Sequence, residues 1–165
     1  MKGVLYAGLA FLALGLQITV IPNLAVWGVR PNLVLITVLA VTLRWRDTFV
    51  FVYAAALGVA LDSFTHGILG VYGIAFFAAA MAARFAGSAM YEDNIAASAI
   101  AVFGLSLLQG IVFVSVFRTL DRTVPWWGWT LGRVVPEAFY DALVSPLVFL
   151  ALARLERWTR LQARA

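Results

Sequence analysis

The chain has 165 residues, 64% of them hydrophobic and only 12% charged, with a mean hydropathy of +0.95. A soluble domain is typically about 45–50% apolar and about 25% charged, so this chain lacks the charge to coat a water-facing surface. That excludes a soluble enzyme, a nucleic-acid-binding module and a disordered chain, and leaves an all-α polytopic membrane protein.

Six spans of about 20 residues would use about 120 positions, and the remainder is too short for a soluble domain of useful size. Chemistry or recognition must therefore take place in the membrane or on short loops. Twelve Lys and Arg against eight Asp and Glu give a net charge of +4, a balance that speaks to membrane topology and not to nucleic acid. With no cysteine and a single histidine, disulfides, thiolate catalysis and a histidine-rich metal centre are excluded, and no cofactor is implied.

In chain order, residues 3–21 form a nearly unbroken apolar run stopped by Pro22-Asn23. A signal peptide is the alternative, but the run is long for an h-region and no small-x-small cleavage site follows, so it reads as an uncleaved helix. Residues 31–43 form the second run, opened by a proline where helices tolerate one. At 13 residues it is about 20 Å long against a hydrocarbon core of about 30 Å, which makes it the weakest span: extended backwards, tilted or thinly covered. After the charged turn Arg44-Trp45-Arg46-Asp47, residues 48–64 form the third span. The fourth covers 68–90, dense in small residues that permit close helix approach, and the fifth covers 95–117. The longest loop, 118–130, holds Pro125-Trp126-Trp127-Gly128-Trp129, an interfacial anchor and secondarily a docking surface. The sixth span is 133–153, with Pro146 expected to kink it. The tail 154–165 is basic and reads as an amphipathic continuation. Residues 1–165 thus form a single integral membrane domain.

Six spans place both ends on one side, and eight of the twelve basic residues then share it, including Arg154, Arg157, Arg160 and Arg164 of the tail. Cytoplasmic loops carry the excess of Lys and Arg, so both ends are expected inside, with the tail arginines solvated or on anionic lipid. None of the six tryptophans falls mid-span, as indole anchors at the headgroup level require.

Ionisable residues inside spans are costly and therefore candidates for function. Asp62 approaches the outer end of the third span, and His66 follows four residues on. The pair reads either as a proton-relay or ligand-binding pair or, in the favoured reading, as a helix-end carboxylate satisfied by neighbouring donors. Arg133, Glu137 and Asp141 recur at i, i+4 and i+8 along one stripe of the sixth helix. Asp141 is expected to be the most buried acid, paired with Arg133, Arg30 or an arginine of the outer loop. Two readings stay open for this stripe: an internal ion pair that fixes helix orientation, or a polar cavity open to the outside. Glu137 and Asp141 as an acid–base pair is the weaker idea, because no nucleophile or metal site accompanies them.

Several stretches together carry a resemblance. Arg30-Pro31-Asn32-Leu33 opens the second span, Gly58-Val59-Ala60-Leu61-Asp62 is followed by Gly67-Ile68-Leu69-Gly70, and Ala138-Phe139-Tyr140-Asp141-Ala142 is followed by Pro146 and a basic finish. In order and spacing over nearly the whole chain this resembles the rod shape-determining protein MreD family. The resemblance implies a non-catalytic inner-membrane subunit of the machinery for cell elongation and lateral peptidoglycan synthesis. It further implies association with MreC and, through it, with MreB, RodA and a penicillin-binding transpeptidase; a homodimer within that complex stays open. The implied six-helix fold is similar to the substrate-binding subunits of energy-coupling-factor vitamin transporters, with a cavity opening outward. Asp62, His66, Arg133, Glu137 and Asp141 would line or close it. The alternative is a substrate-binding subunit of such a transporter.

Overall fold

The computed structural model describes residues 2–25, 28–44, 47–65, 68–86, 95–120 and 125–162. The elements are α1 (Lys2–Thr19), a 3-10 turn (Ile21–Leu24), α2 (Leu33–Arg44), α3 (Phe49–Thr65), α4 (Val71–Ala86), α5 (Ile95–Leu120), the short α6 (Trp126–Trp129), a π turn (Thr130–Val134) and α7 (Val135–Gln162). The stretches Ala97–Leu120 and Trp126–Leu155 are long and apolar enough to cross a membrane, with mean hydropathies of 2.3 and 1.6. The core helix of a soluble protein can be equally apolar, but it is mostly buried, whereas only 28% and 22% of these two segments is buried. Their outward faces, and those of α1 and α4, present large apolar side chains: Phe11 is 84% exposed, Phe85 83% and Leu143 71%. An apolar envelope on this scale needs hydrocarbon around it, not water.

The short second run turns out to be the hub. Every residue from Val34 to Leu43 is buried, and α1, α3, α4, α5 and α7 all pack against α2. A helix apolar all round, as this one is, is stable only when it is enclosed on every side. Residues 34–43 are thus surrounded by protein, and the helix's shortness follows from its central place.

Between apolar helices in lipid there is little hydrophobic driving force, so close packing and interhelical hydrogen bonds hold them together. The α3–α4 pair illustrates the first. A Cβ on Gly58 would lie 2.5 Å from the Tyr72 carbonyl oxygen and 2.6 Å from Gly73 Cα, so the two backbones cross in contact. Ala75, Ala79, Ala80 and Ala83 extend that close face along α4, all at 0% exposure. The second is illustrated by Tyr53 of α3, whose hydroxyl donates to the Tyr6 carbonyl of α1 at 3.1 Å.

Two boundaries differ from the sequence expectation. The fourth helix starts at Val71 and not at 68, because Gly70 adopts φ +96°, a left-handed conformation that ends helical continuity. Of the expected loop 118–130 the described residues are mostly helical: α5 runs to Leu120, and Trp126–Trp129 forms a turn entered from Pro125 that passes through the π turn into α7 without a break. α7 continues to Gln162, so the tail carries the helix on past 153, the continuation expected there. Pro146 sits inside it without ending it. The carbonyl deprived of its donor by that proline is Ala142, and the Ser145 hydroxyl donates to it at 2.9 Å.

Candidate functional site

The C-terminal ends of α1, α3 and α5 and the N-terminal ends of α2, α4 and α7 meet at one end of the bundle, around a cavity of about 530 Å3. Four backbone N–H groups at a helix start have no partner within the helix, and in an apolar bundle each must be supplied. The start of α2 is supplied from three directions. Gln17 of α1 accepts from the Leu33 N–H through Oε1 at 2.8 Å and donates through Nε2 to the Pro31 carbonyl at 3.1 Å. Asn32 caps its own helix, its Oδ1 accepting from the Leu35 N–H at 3.0 Å. Asp141 of α7 accepts from the Asn32 N–H at 2.6 Å, and its second oxygen accepts from the Ser106 hydroxyl of α5 at 2.5 Å.

The expected pairing of Asp141 with an arginine is therefore corrected. Among the described residues its partners are an N–H and a hydroxyl, at 0% exposure. A carboxylate at the N-terminus of a helix is stabilised by the aligned peptide dipoles as well as by the hydrogen bonds, so no cation is needed.

Asp62 performs the same service for α4. Its carboxylate accepts from the Gly70 N–H at 2.8 Å and from the Tyr72 N–H at 3.1 Å. The left-handed Gly70 turns the connection back so that both donors reach one side chain. Two buried aspartates thus fix the starts of two helices at the same end of the bundle.

Arg133, Glu137 and Asp62 line the cavity together with Arg30, Gln17, Asn32 and Gln109, while Asp141 stands behind the wall in its own bonds. Arg133 lies with its guanidinium 5.5 Å from the centre of the Trp129 ring. That ring is stacked on Phe117, Phe117 on Phe113, and Phe113 lies against Tyr72 at 4.4 Å, which makes an aromatic ladder down one wall. The π turn sets this wall. It places Val134 against α5 at Gly110, where a Cβ would meet the Val134 side chain. Such one-turn departures from α geometry often accompany functional sites. Among the described residues no group of three metal-ligating side chains comes together.

The remaining candidates separate. Trp126 and Trp127 meet edge to face at 4.8 Å, and Trp127 is exposed. Arg154 is exposed on α7. Arg157 and Arg160 lie on the helical backbone of α7, whereas His66 and Arg164 fall outside the described residues. Sequence reasoning missed Gln17, Ser106 and Gln109 as site residues. The available signal was an amide or hydroxyl inside an apolar run, which must face protein and find partners there.

No curated protein and no solved structure matches the chain. The sequence model of the rod shape-determining protein MreD matches residues 1–157, and with the apolar envelope around the bundle this makes the chain a membrane protein that belongs to the MreD family of rod shape-determining proteins.

Proposed function

We propose that the chain is a non-catalytic subunit of the bacterial cell-elongation complex, binding MreC and supporting lateral peptidoglycan synthesis and rod shape. The observation that carries this reading is the family match along residues 1–157. MreB, RodA and a penicillin-binding transpeptidase are the further members of the assembly, reached through MreC. Six spans cross the inner membrane in one domain, both termini are cytoplasmic, and the cavity end faces outward, in an arrangement similar to the substrate-binding subunits of energy-coupling-factor transporters. The distribution of basic residues supports this orientation. Trp126, Trp127 and Trp129 then anchor at the outer interface, and Arg154, Arg157, Arg160 and Arg164 meet the cytoplasm and anionic lipid. Affinity purification of the tagged chain from native membranes tests the proposal. MreC should co-elute in stoichiometric amount, and its absence from a preparation that retains the folded chain would refute the assignment.

The cavity favours a second reading. Its volume of about 530 Å3 falls in the range of small-molecule sites, about 300–1,000 Å3, which suits a substrate-binding subunit of a small-molecule transporter. A thermal-shift screen against vitamin-type compounds separates the two, since only the transporter reading requires a tight, specific hit.

A further inference from the structure

The polar groups of the cavity are not all used by the protein. Asp62 holds the start of α4, Gln17 holds the start of α2, and Asp141 is engaged behind the wall. Gln109 is different. Its side chain lines the cavity at 3% exposure, and among the described residues it has no hydrogen-bond partner. A buried carboxamide without a partner is unfavourable, and one facing a cavity is satisfied by whatever the cavity holds. The charges point to what that is. Arg30 and Arg133 are exposed on the cavity wall. Glu137 is the one lining carboxylate not engaged by hydrogen bonds among the described residues. The four lining charges sum to zero, but Asp62 is spent on the N–H groups of the α4 start and Asp141, behind the wall, on that of α2, so two guanidiniums face one carboxylate, Glu137, that holds no helix start. Below the arginines the aromatic ladder offers an apolar, stacking wall.

We infer that the cavity binds an anionic amphiphile, with its phosphate or carboxylate on Arg30 and Arg133, a polar group on Gln109, and its apolar or planar body along the aromatic ladder. The ligand chemistry is the same whichever assembly the chain joins, and it is read out without any partner, so either proposal can fail alone. The acidic group has two sources, a lipid headgroup or a soluble molecule.

The full chain is purified in detergent and probed in two arms. Phenyl phosphate is compared with phenol by calorimetric titration, and phosphatidylglycerol with phosphatidylcholine by retention in native mass spectrometry. In at least one arm the anionic probe should bind more tightly than its counterpart. The double variant Arg30→Gln/Arg133→Gln, altered at exposed positions, should weaken that binding about tenfold or more. Preference in the lipid arm alone assigns a headgroup, and preference for phenyl phosphate assigns a soluble acid. Gln109→Leu should weaken the same probe while leaving the melting temperature of the unliganded protein unchanged or raised, because the amide has no protein partner to lose. Equal binding of charged and uncharged probes in both arms, or an anion preference that survives the double variant, would overturn the inference. So would a clear fall in the melting temperature of unliganded Gln109→Leu.

Discussion

Replacing Asp141 by leucine separates a helix-capping role from a dispensable buried charge. The side chain has the same branched four-atom skeleton with methyl groups in place of the oxygens, so no cavity forms, and the desolvation penalty of the carboxylate disappears. Against this gain stand two donors. The Asn32 N–H, 2.6 Å from Oδ1, is a backbone group at a buried helix start with no other acceptor in view, and leaving it unpaired costs about 1–3 kcal/mol. The Ser106 hydroxyl, 2.5 Å from Oδ2, can rotate to the carbonyl one turn back in α5, so its loss is smaller, about 0.5–1 kcal/mol. Loss of negative charge at the start of α2 adds about 0.5–1 kcal/mol. The net expectation is a destabilisation of about 2–4 kcal/mol. Asp141→Asn keeps an oxygen for the Asn32 N–H and offers an N–H to the Ser106 oxygen, so it should lose only about 1 kcal/mol. Both variants are to be measured by denaturation in mixed micelles of increasing SDS content, followed by circular dichroism. Leucine and asparagine variants of equal stability would refute the capping account, because both remove the charge and only asparagine keeps an acceptor for the Asn32 N–H.

Three further perturbations follow from the packing. Gly58→Ala should destabilise the α3–α4 pair by about 1–3 kcal/mol, since its Cβ meets backbone atoms at 2.5–2.6 Å, whereas Gly8→Ala, with nothing within 4 Å, should be neutral in the same SDS titration. Ser145→Ala should cost about 1 kcal/mol by orphaning the Ala142 carbonyl, and adding Pro146→Ala should restore it, because the new N–H reaches that carbonyl; additive effects of the two changes would contradict this. Deleting residues 154–165 should leave the helical signal of the bundle in place, since the last buried side chain of α7 among the described residues is Leu152, while reducing association with cytoplasmic partners on pull-down. Loss of the folded bundle in detergent would make the tail structural.

The class of fold was legible because it rests on composition and run length, which local sequence carries. Even the hub was half visible: Leu33–Arg44 is apolar on every face, and its shortness raised the right question without the answer that protein encloses it. The last helix starts earlier than its apolar run, because three tryptophans that resemble an interfacial anchor form its first turn. Pro125, which supplies an extended residue before a helical turn, was the overlooked signal. The site was legible in membership but not in connection. Asp62, Arg133 and Glu137 do reach one cavity. That Asp141 caps a helix start 109 residues away depends on how α2 is enclosed, and no spacing along the chain encodes it. An arginine was the natural partner for an isolated acid, but in a bundle of short helices the free N–H groups of helix starts are the commoner supply of positive potential.

The central claim is that this membrane protein determines rod shape, and controlled depletion in its own cells tests it most directly. Cells losing the chain should widen and round over successive divisions, and plasmid-borne wild-type chain should restore rods. Cells that keep their width and length after the protein has disappeared from the membrane fraction would contradict the account.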